Sequence, residues 1–302
     1  MSDGELAGCI SADGIDILVD LAGHTLNNRL PVLAWRPAPV QVSWLGYCAT
    51  TGLTEVDAFI VDSWIAPSQA NDQFIEPILR LPHTFLCFTA PPFDLPVAPL
   101  PALNRSSVRF GGLNDLAKMN DAVVAVWSRV LQAVPHSVLV LQSASFRDTA
   151  IQQAVLVRYA QHGIHAHQLL LKPAQARADY LAGYGQIDIS LDPFPYPGGT
   201  TSLESLFMGV PVLTLPGAHA LSRQGLSLLS NVGLTDWIAT SEDDYVQRAK
   251  THAADLAALS ALRSSLRSRL LASPLCNAPQ FAQDFEAGLR GLWRQFCSRA
   301  VP

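Results

Sequence analysis

No stretch of the 302-residue sequence stays apolar for the roughly 18 to 20 consecutive residues that a bilayer span needs. The N-terminus, MSDGELAGCISADG, also lacks the basic-then-apolar order of an export signal. Both absences lead to the expectation of a soluble, cytoplasmic protein with no membrane partner. Charge is scarce at 15% of residues, and 25 acidic against 20 basic side chains give a net charge of -5. No basic field of the kind that attracts nucleic acid is present, so none is expected as a partner. Cysteine is sparse too: Cys9, Cys48, Cys87, Cys276 and Cys297 are odd in number, scattered and without a CxxC pair. That argues against a disulfide framework and a cysteine zinc site. Among eight histidines the only close pair is His165 and His167 around Ala166, so no metal is expected. A GxSxG elbow, a GxxxxGK(S/T) loop and a strand followed by GxGxxG are all missing. Their absence weighs against a serine hydrolase of that type, a P-loop NTPase and a common NAD-dependent dehydrogenase.

What is present is apolar material in regular order. Hydrophobic residues make up 49% of the chain, enough for the cores of two medium domains. Alternation in GIDILVDLAGHT, in RPAPVQVSWLGY, at Val56 to Val61 and at Ile78 to Leu81 reads as four strands, with a short helical stretch around Asn28 to Ala34. Thr89 to Pro101, TAPPFDLPVAPLP, is too rich in proline for a helix or central strand and reads as a linker. Five βα units follow: strands at Val108 to Gly111, Ser137 to Leu141, Gln168 to Leu171, Ile187 to Leu191 and Val210 to Leu215. Their helices are expected around Val123 to Val134, then at Thr149 to Gln161, Gln175 to Ala182, Thr200 to Phe207 and Leu221 to Asn231. This alternation predicts a doubly wound parallel sheet. From Ser241 the tail is helical, ending in a helix with Phe281, Phe285, Leu289, Leu292 and Phe296 on one stripe that suits packing against the body. The expected division is residues 1–100 for the first domain with its linker and 101–302 for the second with the C-terminal helices.

Ligands of open α/β sheets bind beyond the carboxyl ends of the strands. There, Gly198, Gly199, Thr200 and Thr201 form a Gly-rich entry into a helix. Such an entry suits a phosphate, with glycines for close approach and a positive dipole end, and it also suits an ordinary capped turn. Lys118, in LNDLAKMND, follows the first strand of the second domain on the same edge; it either neutralises a diphosphate or is solvated. Glu204, one turn beyond Thr200, either accepts bonds from ribose hydroxyls or offsets the helix dipole. His24, in AGHT after the first strand of the chain, is either a base or ligand facing a cleft or a polar surface residue.

The motifs DGIDILVDLAGHT, RPAPVQVSWLGY, FGGLNDLAKMND, LDPFPYPGGTTSLESLFMGVPVLTLPG and SPLCNAPQF, collinear over nearly the whole chain, resemble the catalytic region of protein O-GlcNAc transferases, including bacterial members and the SPINDLY proteins. The resemblance implies a GT-B fold of two Rossmann-like domains, the first incomplete. It also implies inverting, metal-independent transfer of N-acetylglucosamine from UDP-GlcNAc to Ser or Thr of proteins, with no cofactor beyond the donor. Lys118 then meets the donor diphosphate and His24 is the second catalytic candidate. Asn114, Arg177, Gly198, Gly199, Thr200, Thr201 and Glu204 are the nucleotide contacts. Departures are Gly199 and Tyr180 where the animal enzyme has histidine, Asp115 where an amide is expected, and Cys48-Ala49 in place of Pro-Gly. Relatives carry further opening βα units and tetratricopeptide repeats, so a truncated or split transferase is expected, partnered by an acceptor protein and by a tetratricopeptide-repeat segment or chain supplying the missing part. A GDP-fucose-dependent protein O-fucosyltransferase and a catalytically silent sugar-nucleotide-binding module are the alternatives.

Overall fold

A computed structural model describes residues 1–105 and 107–300, with the side chain of residue 300 left aside. The chain forms two compact units. The first comprises Met1–Phe88, Ala218–Arg223 and the segment from Asn277 onward; the second comprises Thr89–Gly217 and Gln224–Cys276.

In the first unit a helix absent from the sequence reading, α1 (Asp3–Ala12), opens the chain. Its signal was present as a capping box: the Ser2 hydroxyl accepts from the Glu5 amide at 3.3 Å, and the Ser2 amide donates to the Glu5 carboxylate at 2.6 Å. Strands β1 (Ile17–Asp20), β2 (Val40–Trp44), β3 (Ala58–Asp62) and β4 (Ile78–Leu81) then form an all-parallel sheet in the order β1-β2-β3-β4, with the short α2 (Leu30–Leu33) between β1 and β2. Alternation sends Val40, Val42 and Trp44 to one face and Gln41 and Ser43 to the other. The buried Gln41 amide donates to the carbonyls of Leu33 and Glu55, which satisfies it.

The face of Val40, Val42, Ala58, Ile60 and Leu81 is covered by the last helix of the chain, through Phe281, Phe285, Leu289, Leu292, Trp293 and Phe296. The Phe285 ring lies 4.7 Å from that of Trp44. This corrects the expected division, which put every C-terminal helix in the second domain. The stripe was legible as a packing face, but its spacing carries no information about which sheet it covers.

The second unit holds β5 (Arg109–Gly112), α3 (Asp121–Ala133), β6 (Val138–Ser143), α4 (Thr149–Ala160), β7 (Leu169–Pro173), α5 (Arg177–Gly183), β8 (Ile189–Leu191), α6 (Thr200–Phe207), β9 (Val212–Leu213), α7 (Gln224–Val232), α8 (Glu242–Ala254) and α9 (Leu256–Leu271); the last helix of the chain is α10 (Ala278–Ala300). All pairings are parallel, in the order β7-β6-β5-β8-β9. The chain builds outward from β5 to β7, then returns and builds from β8 to β9 on the other side. That reversal puts a topological switch point between β5 and β8. The expected strand over Val210 to Leu215 shortens to two residues with a bridge from Thr214 to Ile238, and the helix expected from Leu221 starts as a 3-10 turn before Gln224.

The proline-rich segment is extended, as its composition requires, but its linker boundary at residue 100 is corrected: from Thr89 it belongs to the second unit. Prolines leave carbonyls without a regular partner. Two arginines of α9 supply one. Arg267 donates to Leu95 O at 2.8 Å, and Arg263, 1% exposed, donates to Ala98 O and Ile187 O at 2.7 Å and to Tyr184 O at 3.2 Å. Burial pulls the Arg263 guanidinium down to about 10, so it stays charged at neutral pH. Among the described residues no helix is long and apolar enough to cross a membrane.

Arg263→Met should destabilise the protein by about 2–4 kcal/mol, because three carbonyls lose a charged donor in a buried setting. Urea unfolding measures this, and Arg263→Lys should recover only part of the loss.

Candidate active site

Two loops leave the sheet on either side of the switch point. The loop after β5 reaches α3 through a 3-10 turn, Leu116–Lys118, begun by Asp115, whose carboxylate accepts from Ala117 N at 2.9 Å. Asp115 is exposed and serves as a cap, so its charge is not a buried one beside the expected diphosphate. The loop after β8 runs from Asp192 through FPYP to Gly198 and α6. Lys118 spans the two: its ammonium donates to Pro197 O at 2.8 Å and sits 4.1 Å from the centre of the Tyr196 ring. Burial lowers its pKa, partly countered by Asp192 and Asp115. Asn120 adds a second tie, donating to Phe194 O at 2.9 Å while capping α3 through the Val123 amide.

Asp192 organises the second loop. It is 1% exposed at the carboxyl end of β8. Oδ1 accepts from Gly198 N at 2.7 Å and the Ser202 hydroxyl at 3.3 Å, and Oδ2 accepts from the Thr214 hydroxyl at 2.8 Å. One carboxylate therefore fixes the glycine turn, the first turn of α6 and the end of β9. A Cβ on Gly198 would stand 2.3 Å from Ser202 Oγ, so the turn closes this tightly only with glycine. The same holds at Gly225, where a Cβ would lie 2.2 Å from Thr214 Oγ1.

Gly199 precedes α6, and no side chain caps that helix. Its first-turn amides, at Thr200 and Thr201, sit at the positive end of the helix dipole. Asn114 Oδ1 is buried without a hydrogen-bond partner and lies against Gly198. Arg177, at the start of α5, is ion-paired with Glu204, whose side chain is 3% exposed. The hydrogen bond to Glu204 raises the Arg177 pKa. Tyr180 and Tyr184 close this side: their hydroxyls are 3.0 Å apart, and Tyr184 donates to Thr201 O at 3.0 Å. Burial pushes Tyr180 up to about 12, so it remains a neutral donor.

The structure thus brings Lys118, Asn114, Gly198, Gly199, Thr200 and Thr201 to one switch point, with Arg177 and Glu204 beside Thr201. His24 belongs to the first unit. It follows β1 in a loop where Asp20 accepts from the amides of Ala22 and Gly23, and its Nε2 lies 3.0 Å from Thr50 O. A carbonyl only accepts, so Nε2 is the donor in this bond. Thr50 is itself held by the buried Glu76, to which its hydroxyl donates at 2.6 Å. Sequence reasoning gave Asp192 no role; an acidic residue ending an apolar strand before a Pro/Gly turn was the available signal. Among the described residues no group of three or more His, Cys, Asp and Glu side chains could hold a metal.

Two parallel sheets with helices, the second with a Gly-rich loop at its switch point, fit the α/β fold of the GT-B glycosyltransferase class. The family model for glycosyl transferase family 41 matches residues 1–89 and 100–285, and the chain belongs to that family. It is 45% identical over 299 residues to an Arabidopsis thaliana protein described as a probable UDP-N-acetylglucosamine--peptide N-acetylglucosaminyltransferase SPINDLY, covering 99% of this chain and 33% of the relative. A mutant of Thermobaculum terrenum O-GlcNAc transferase matches with a TM-score of 0.93 and 35% identity, over 100% of this chain and 57% of that one. A Rickettsia africae glycosyltransferase shares the fold at 10% identity and a TM-score of 0.58, over 98% of this chain and 80% of that one. The chain therefore spans about a third of the length of the curated relatives it matches.

Asp192 carries a pH signature. Burial, opposed by the Gly198 amide, the Thr214 hydroxyl, Lys118 and Ser202, pushes its carboxyl up to about 6. A folded pKa above the unfolded value means the fold favours the protonated acid. That stabilisation is complete below about pH 4 and fades as pH rises through about 6, a span of about 3 kcal/mol. Urea unfolding from pH 4 to 7.5 should show this loss in the parent protein relative to Asp192→Asn, which has no such titration.

Proposed function

We propose that the chain is the donor-binding and part of the transfer machinery of a protein O-GlcNAc transferase, which moves N-acetylglucosamine from UDP-GlcNAc to Ser or Thr hydroxyls with inversion and without a metal. The observation that carries this reading is the Lys118 ammonium tied to Pro197 O, one residue before the Gly198–Gly199 entry into uncapped α6. The family relationship supplies the substrate class.

In the proposed reaction the acceptor hydroxyl oxygen attacks the anomeric carbon as the bond from that carbon to the β-phosphate oxygen breaks. The leaving UDP takes the bonding pair. Lys118 and the amides of Gly199, Thr200 and Thr201 stabilise the charge that accumulates there, a role fixed donors fill without reorganising. Asn114 Oδ1 offers an unpaired acceptor beside that loop, available to a donor hydroxyl. Glu204, held by Arg177, is the candidate for the ribose contact. The hydroxyl proton goes to a base, for which His24 is the candidate, with its ring oriented by the bond from Nε2 to Thr50 O.

The acceptor protein is a partner in this reading, as is a tetratricopeptide-repeat segment or chain, which fits relatives about three times as long as this chain. A cytoplasmic setting suits thiols such as that of Cys48, pushed up to about 12 by burial.

Calorimetry should show UDP binding that Lys118→Ala weakens by about 100-fold, the scale of a lost charge-assisted contact in a part-buried site. Turnover of labelled UDP-GlcNAc with a protein acceptor should fall further than binding in that variant. Binding of neither UDP nor UDP-GlcNAc, or preference for GDP-fucose, would overturn the assignment.

A further inference from the structure

The second unit carries a cation cluster that the proposed reaction does not use. Arg109 opens β5 and Gln186 precedes β8, so these two lie at the amino-terminal edge of the sheet, while Lys172, next to last in β7, reaches Gln186 from the carboxyl-terminal half of its strand. The register aligns Arg109 with Val138, Val140 with Leu170, and Gln142 with Lys172. Alternation then puts Arg109, Gly111, Val140, Gln142 and Lys172 on one face, the face on which a Cβ of Gly111 would meet Ile187. The Lys172 ammonium donates to Gln186 Oε1 at 2.7 Å, and the Arg105 guanidinium reaches Gln186 O at 3.4 Å. Arg109 Nε is buried with no hydrogen-bond partner.

Lys172 and Arg105 hold Gln186, and Arg109 lies close enough to both to feel their charge. Among the described residues no carboxylate forms an ion pair with Arg105, Arg109 or Lys172. The one acid near the arginines, Asp188, commits both oxygens to the amides of Ala102 and Arg109. Arg263, also near Asp188, spends its donors on carbonyls. The mutual repulsion is visible: Lys172 is lowered first by burial and then by Arg109 and Arg105, and Arg109 by burial and then by Arg105, against Asp188. In a chain of net charge -5, a group of three positive charges offset only in part by Asp188 is a feature an anion would relieve. A cavity of about 220 Å³ adjoins it, sharing Lys172 and Gln186 and continuing along Gln142, Gln175, Asp179 and Gly183.

We propose that Arg105, Arg109 and Lys172 form a second anion site, for a phosphoryl dianion, in which the neighbouring cavity accepts the organic part of a small phosphomonoester. Arginine forks and a lysine point charge match the three oxygens of a phosphoryl group. The assignment is independent of the nucleotide-sugar reading, since it shares no residue with it.

The test is titration of the full chain with inorganic phosphate and with glycerol 3-phosphate at constant ionic strength, followed by thermal unfolding and by phosphorus NMR line width. Lys118→Ala is the background that silences the glycine loop. In that background a saturable response should persist, and adding Arg105→Gln and Lys172→Gln, both outside the buried core, should raise the half-saturating concentration about tenfold or more. Tighter binding of the ester assigns the organic subsite, and equal binding assigns free phosphate; either supports the anion site. A response that is absent, or that survives both glutamine substitutions unchanged, overturns it. Failure of UDP binding in the parent protein would speak only to the nucleotide loop.

Discussion

The buried carboxylate of Asp192 is the constraint on which the site depends. The Gly198 turn, the first turn of α6 that follows it and the end of β9 all bond to one side chain that is almost wholly withdrawn from water. An unsatisfied buried carboxylate costs several kcal/mol, so the loops that satisfy it have little freedom to sit elsewhere. The glycines are a consequence: amide and hydroxyl donors can close around Asp192 only where no Cβ intervenes. What this leaves at the surface is an uncapped helix start beside Lys118, held open and ready for a negative group.

The same economy of connection appears wherever irregular backbone must be held. Arg263 and Arg267 take the carbonyls that a proline-rich segment leaves free, and Glu76 fixes the loop on which His24 rests. In each case a charged side chain substitutes for a missing ladder, which is why buried charge and irregular structure coincide in this protein. Arg105, Arg109 and Lys172 depart from that pattern, since among the described residues none of them is ion-paired with an acid.

Much of the architecture was legible from the chain alone. The βα alternation after residue 101 appears as five parallel strands, with boundaries displaced by a residue or two except at β9, where two residues suffice because Thr214 continues as a bridge. The Gly198 to Thr201 entry was legible because Gly and Thr at a helix start have a local meaning. Lys118 was legible as a residue on the right edge of the sheet. Asp192 was not, since its role is made by partners ten and twenty-two residues away. The pairing of Arg177 with Glu204 was also missed, and both had been read as separate nucleotide contacts.

The sequence by itself determined the parallel α/β class, the family and the residues offered to a phosphate, because periodicity, proline content and motif order are properties of neighbours along the chain. Only the tertiary structure decided that α10 covers the first sheet, that the proline-rich segment belongs to the second unit, that Asp192 holds the glycine loop and that Lys172 and Arg105 meet at Gln186. Those outcomes depend on which surfaces meet after folding. A stripe of phenylalanines or a lone aspartate is compatible with many partners until the chain closes and leaves it one.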